Sequence, residues 1–140
     1  MPDYSTAPRS RAMIGKWSVE RYVELLRNWV IGIAVILVVL VLDQKPQGLV
    51  VLIEALFMLL VGWLVRRAQG GRVESLTAGA MSGLALGLVI SISRFVVVPK
   101  LYWAVNIIVE TLLTGFVATW LAVVGHILTG FFPSSTPKTN

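Results

Sequence analysis

Four stretches of apolar side chains, separated by short polar segments, run along the sequence. They cover about residues 27–42, 49–65, 75–97 and 101–126. An α-helix needs roughly 20 mostly apolar residues to cross the hydrocarbon core of a bilayer, and each stretch comes close to that length. The pattern predicts an all-α integral membrane protein, in which four transmembrane helices form two hairpins within residues 29–132. Because the first stretch is uninterrupted only over 29–42, a three-span protein with that stretch at the membrane interface is the alternative.

The segment before the first span has a different pattern. Over residues 17–28, apolar and charged side chains occupy opposite faces of a helix, and Ser18 is a suitable N-cap. The sequence predicts a short amphipathic helix here, which either lies along the membrane surface or extends the first span into water. Residues 1–16 contain two prolines and no apolar periodicity, which predicts a disordered cytoplasmic tail. Residues 133–140 are predicted to form a polar C-terminal tail.

Composition and charge support a membrane location. Hydrophobic residues make up 56% of the chain and charged residues only 14%, and there is no cysteine for disulfides or thiolate chemistry. Four alternating spans place both termini on one side, which carries nine Lys and Arg residues against three on the other. The nine are Arg9, Arg11, Lys16, Arg21, Arg27, Arg66, Arg67, Arg72 and Lys138, and the three are Lys45, Arg94 and Lys100. This asymmetry predicts that both termini are cytoplasmic, in an inner, plasma or organellar membrane, and it explains the net charge of +5 without nucleic-acid binding.

The third span has small side chains at every fourth position. They are Ser75, Gly79, Gly83, Gly87 and Ser91. Between helices in lipid there is little hydrophobic driving force, so association depends on close backbone approach, which small residues permit. The pattern predicts a helix-packing face. It serves either packing within this chain or docking of another subunit.

Two carboxylates lie inside the predicted spans. Glu54 and Arg94 are at similar distances from the same membrane surface, which predicts an ion pair between the second and third spans. The alternative role for Glu54 is the handling of protons or cations, because charged groups within membranes are often functional.

Glu110 lies near the middle of the fourth span. Asn106 precedes it by one turn and Thr114 follows by one turn. Together with Tyr102, one turn before Asn106, they form a polar stripe along one face of the helix. No cation of this chain matches the depth of Glu110. Three roles stay open: hydrogen bonding between helices, pairing with a cation of a partner subunit, and transport.

His126, the single histidine, lies near the cytoplasmic end of the fourth span. Ala122, one turn earlier, would leave space for a flat macrocycle, so a pigment or haem with His126 as axial ligand is one interpretation, and hydrogen bonding to lipid headgroups is the other. The sequence contains no catalytic triad pattern, metalloprotease motif or phosphate-binding loop. We expect neither an enzyme nor a metal site.

Three functions follow from these features. The first is a non-catalytic accessory subunit of a larger membrane complex, docked through small-residue helix faces and intramembrane polar residues. The second is a small oligomeric proton- or cation-coupled transporter or channel that uses Glu54 and Glu110. The third is a pigment- or haem-binding subunit that uses His126. The expected partners are the lipid bilayer and either other membrane subunits or further copies of this chain.

Overall fold

The computed structural model describes residues 12–99 and 103–132. Its elements are β1 (Met13–Ile14), β2 (Trp17–Ser18), α1 (Val19–Leu42), α2 (Gln47–Arg67), α3 (Arg72–Val97) and α4 (Trp103–Phe131). Each of these four helices is long and apolar enough to cross a membrane. The prediction of a helical chain with four candidate spans is therefore confirmed.

Helix α1 includes both the amphipathic segment and the first apolar stretch. It runs without interruption from Val19 to Leu42, and the Ser18 side chain accepts a hydrogen bond from the Arg21 amide at 3.4 Å, as expected for an N-cap. No glycine or proline lies between Val19 and Ile31 to end the helix. Residues 19–28 are therefore continuous with the first candidate span, as in the second of the two alternatives above, whereas Trp17 and Ser18 belong to β2.

A short β-hairpin includes the last residues of the predicted N-terminal tail. Strands β1 and β2 pair antiparallel, with Ile14 opposite Trp17, and are joined by Gly15 and Lys16. Gly15 has φ +66°, which glycine adopts without strain at the first position of a tight hairpin turn. The predicted tails over 1–11 and 133–140, and Tyr102, lie outside the described residues.

Helices α3 and α4 form the most extensive helix pair, and α2 packs against both of them. Helix α1 lies against α2 and α3 and contributes the buried Tyr22 and Leu37 to the core, where they join Met58 of α2 and Leu86 of α3. Most other large apolar side chains of α1 and α4 are exposed, and Phe116 is 64% exposed. Such an apolar exterior suits a lipid environment.

One end of the helix bundle is strongly basic. The N-terminal hairpin, the turn between α2 and α3, and the last turns of α4 meet there, because Lys16 bonds to Glu74 and Ser75 bonds to His126. The basic residues of the described chain at this end are Lys16, Arg21, Arg27, Arg66, Arg67 and Arg72. The opposite end has Lys45 and Arg94. We call the first the basic end.

Candidate functional site

The small residues of α3 lie against α4. A Cβ atom added to Gly79 would lie 2.7 Å from Cβ of Ala122, and one added to Gly87 would lie 3.0 Å from Cβ of Thr114. The first approach is too close for a methyl group and the second leaves very little room for one, so the two helices lie close together along this face. The packing face predicted in the third span is therefore used within this chain.

Helix α4 repeats the same four-residue spacing in the opposite direction. The facing pairs are Ser75 with His126, Gly79 with Ala122, Gly83 with Ala118, Gly87 with Thr114, and Ser91 with Glu110. The register is constant over the whole interface, which we call the α3–α4 seam. The matching series in α4 is visible in the sequence and would have identified the partner helix.

A polar contact closes the seam at the end opposite the basic end. Arg94 Nη1 lies 2.9 Å from Glu110 Oε1, and the Ser91 hydroxyl donates to Glu110 Oε2 at 3.1 Å. Thr114, one turn further along α4, lies against Gly87, and Asn106 is half-buried one turn before Glu110. Glu110 therefore has a cation within its own chain.

The ion pair predicted between Arg94 and Glu54 is corrected by this geometry. Arg94 and Glu54 have similar depths in the membrane, which suggested Glu54 as the partner. A long arginine side chain, however, can also reach a carboxylate whose depth differs by a few ångströms. The side-chain direction decides the partner, and Arg94 on α3 points toward α4. The view that Glu110 has no matching cation is wrong for the same reason.

Glu54 is left in a cleft between α2 and α4. Its Oε1 atom is buried and accepts no hydrogen bond within the described part of the chain. The cleft has a volume of about 180 Å³ and is lined mainly by aliphatic side chains. Its lining residues include Val51, Ala55, Met58, Leu113, Val117 and Leu121. Glu54 thus combines a carboxyl group, apolar walls and access from outside the bundle, and we call this space the Glu54 cleft.

His126 is enclosed at the basic end. Its Nδ1 atom lies 2.9 Å from the Ser75 hydroxyl, and its backbone carbonyl accepts from Arg66 at 2.8 Å. Ala122 is fully buried, and both Gly62 and Gly79 approach it closely. The space expected for a macrocycle beside Ala122 is filled by α2 and α3. Among the described residues there is also no cluster of three metal-ligating side chains.

Glu74 organises the N-terminal hairpin and was missed in the sequence. Its Oε1 accepts from the Lys16 amide at 2.7 Å, and its Oε2 accepts from the Gly71 amide at 2.8 Å, although the side chain is buried. The Tyr22 hydroxyl adds a bond to the Ile14 carbonyl at 2.9 Å. Only the second of the Glu74 contacts has a local signal, because a glutamate at the third helical position commonly reaches back to the N-cap amide.

Comparison with known proteins yields no match, whether to a family model, to a curated protein or to a solved structure. The functional conclusions below therefore depend on the geometry of this chain and on general physical chemistry.

Proposed function

We propose that this protein is a non-catalytic subunit of a larger membrane assembly and that a helix of a partner docks in the Glu54 cleft. The observation that carries the proposal is the buried Glu54 Oε1 atom, which has no hydrogen-bond partner in the described residues. A charged side chain costs about 2.5–3.5 kcal/mol at the centre of a membrane span on insertion scales, and Glu54, in the first half of α2, would bear part of this cost. A donor or cation from a neighbouring helix would offset this cost.

The hydroxyls of Ser82 and Thr111 are also buried without a hydrogen-bond partner among the described residues, but they are neutral, whereas the other two titratable groups discussed above have partners. Glu110 is held by Arg94 and Ser91, and His126 is held by Ser75. The Glu54 cleft is different because its walls are aliphatic and it opens on the outside of the bundle. A mainly apolar groove that contains Glu54 and the Thr114 side chain suits a transmembrane helix that carries one polar side chain among small and aliphatic residues.

A small proton- or cation-coupled transporter is the second candidate, and Glu54 favours it as well. A carboxyl without a partner inside a membrane is a common proton carrier. Glu110 is a poorer candidate for this role because Arg94 already neutralises it. The α3–α4 seam is closed by contacts between Gly79, Gly87 and α4, so a transport path that uses Glu54 would follow the Glu54 cleft in an oligomer.

Three neighbouring substitutions on α2 test docking. E54L removes the carboxyl and A55F fills the cleft, whereas L56F changes a side chain that is 58% exposed outside the cleft. We expect stoichiometric partner proteins to co-purify with the wild type and L56F from native membranes in mild detergent. Their yield should fall roughly tenfold with E54L, which is the effect of losing one hydrogen bond to a charged group.

The stability of each purified variant separates docking from folding. E54L should melt at or above the temperature of the wild type, because it removes an unpaired buried carboxyl group. Partners retained equally by E54L and A55F would contradict docking in the cleft. A homo-oligomer that purifies alone, and whose pH-dependent flux in proteoliposomes is lost in E54Q, would instead establish the transport function.

A further inference from the structure

A second cavity lies at the basic end, between the last turn of α2, the first turn of α3 and the last turns of α4. Its volume is about 310 Å³. It is lined by Arg66, Arg72, His126, Ile127, Gly130 and Phe131. We propose that this cavity binds the phosphate of an anionic phospholipid headgroup, with Arg66 and Arg72 as the ligating side chains.

The Arg66 guanidinium is held in place before any ligand binds. Its Nη1 donates to the His126 carbonyl at 2.8 Å. The group also packs on Gly130, where an added Cβ would lie 2.5 Å from Nη1 and 3.0 Å from Nη2. A guanidinium has five N–H donors, so this single bond leaves most of them for an anion. Such fixed donors lose less conformational entropy when they bind phosphate.

Among the described residues, no carboxylate pairs with the two arginines of the cavity. Within the described residues neither Arg66 nor Arg72 forms an ion pair. Glu74, the nearest acidic residue along α3, offsets part of their positive charge, but its two oxygens accept from the Lys16 and Gly71 amides and do not pair with either arginine. Arg72 is the first residue of α3, where the helix dipole adds further positive potential. The cavity therefore attracts an anion.

The apolar part of the cavity favours a lipid over a free phosphate ion. Phe131, which is 76% exposed, and Ile127 lie beside the two arginines. A free phosphate gains no binding energy from contact with apolar side chains, whereas the glycerol and acyl region of a phospholipid would bury them. Basic pockets between transmembrane helices on the cytoplasmic side commonly hold anionic headgroups, and both arginines lie at ends of candidate spans.

The test compares neighbouring arginines on α2. Arg66 lines the cavity, whereas Arg67 lies over the Trp63 ring at 5.3 Å and does not line it. The full chain in neutral detergent is titrated with phosphatidylglycerol, with phosphatidylcholine of the same acyl chains, or with inorganic phosphate. Lipid adducts are counted by native mass spectrometry, and the melting temperature is followed in parallel.

We expect the wild type to prefer phosphatidylglycerol. R66Q and R72Q should each lower that preference about tenfold, the effect of losing one hydrogen bond to a charged group, and R67Q by a clearly smaller factor, because Arg67 does not line the cavity. G130A, which keeps every charge but displaces the Arg66 guanidinium, should also lower the preference. R72Q keeps the test decisive if R66Q fails to fold, since Arg66 also bonds to α4.

Three results would overturn the proposal. Equal losses in R66Q, R72Q and R67Q would mean that diffuse surface charge attracts the lipid. An increase in melting temperature with inorganic phosphate as large as that with phosphatidylglycerol would mean that the cavity binds free phosphate. Equal binding of the two lipids to the wild type would mean that no anion site exists.

Discussion

Two glutamates within the candidate spans of this protein have opposite surroundings. Glu110 lies 2.9 Å from Arg94 and accepts a further bond from Ser91, whereas the buried Oε1 of Glu54 has no partner in the described chain. Removing one member of a buried pair leaves the other uncompensated, while removing a carboxyl without a partner relieves a cost. Substitutions at the two positions should therefore change stability in opposite directions.

A double-mutant cycle tests the Arg94–Glu110 pair. R94Q and E110Q should each lower the free energy of unfolding, because each leaves a half-buried charge without its partner. The double variant should lose less than the two single losses together, with a coupling of about 0.5–3 kcal/mol. Unfolding in mixed detergent micelles measures all four proteins.

The same cycle with E54Q in place of E110Q is the control. Arg94 makes no ion pair with Glu54 in the described structure. The coupling energy between R94Q and E54Q should therefore be much smaller than that between R94Q and E110Q. Strict additivity for R94Q and E110Q would contradict the ion pair as a source of stability.

At the scale of elements, the α3–α4 seam is the main packing device of the bundle. Gly83 faces Ala118, and a Cβ atom at position 83 would lie 3.0 Å from Cα of Gly115. Gly32 on α1 is the matched control, because nothing lies within 4 Å of a Cβ atom built there. Both glycines lie near the middle of a helix, but only Gly83 is in close contact with another helix.

We expect G83A to destabilise the protein and G32A to leave it unchanged or slightly more stable, because alanine is favoured over glycine within a helix by about 0.5–1 kcal/mol. Overpacking of a close interface typically costs about 1–3 kcal/mol, whereas surface substitutions usually fall within about 0.5 kcal/mol. Thermal or detergent unfolding of the two variants measures the difference. Equal stabilities for G83A and G32A would mean that the helices separate easily at the seam.

The N-terminal hairpin depends on an element that is distant in the sequence. Glu74 of α3 holds the Lys16 amide across 58 positions of the chain. E74A should release the hairpin, since the Lys16 amide then loses a charge-assisted hydrogen bond. Hydrogen exchange at Lys16 should become fast in E74A, while the amides of the α3–α4 seam keep their protection.

A second substitution checks the hairpin in another way. Y22F removes the bond from the Tyr22 hydroxyl to the Ile14 carbonyl but keeps the buried ring. It should loosen the hairpin less than E74A does. Full protection of Lys16 in E74A would show that Trp17 and Tyr22 alone hold the hairpin.

At the scale of the whole molecule, the basic end indicates how the protein is oriented. We expect this end to face the cytoplasm, since cytoplasmic loops are enriched in Lys and Arg. Gln44 and Gln69 report on the two ends: each is an exposed turn residue with positive φ, at 52° and 63°. Because the chain has no cysteine, a single substitution gives a unique label.

Labelling with a membrane-impermeant maleimide tests the orientation. Gln44→Cys should react in intact cells, and Gln69→Cys should react only after the membrane is permeabilised. The strain of a side chain at positive φ is shared by both variants, so it does not bias the comparison. The reverse pattern would place the basic end outside and would overturn the cytoplasmic assignment.

The sequence by itself determined the features that depend on local composition. The number and approximate position of the candidate spans follow from apolar length, because each helix satisfies its own backbone hydrogen bonds. The N-cap at Ser18 and the small-residue face of α3 are likewise local patterns. Their physical basis is complete within one or two turns of helix, so no other part of the chain is needed to recognise them.

Only the tertiary structure decided which segments meet. Arg94 takes Glu110 rather than Glu54, and Glu74 orders residues that looked like a disordered tail. In each case the sequence offered suitable groups but not the direction of a side chain or the register between two helices. Those depend on how α3 packs against its neighbours, and a difference of one turn would bring together a different pair of charges.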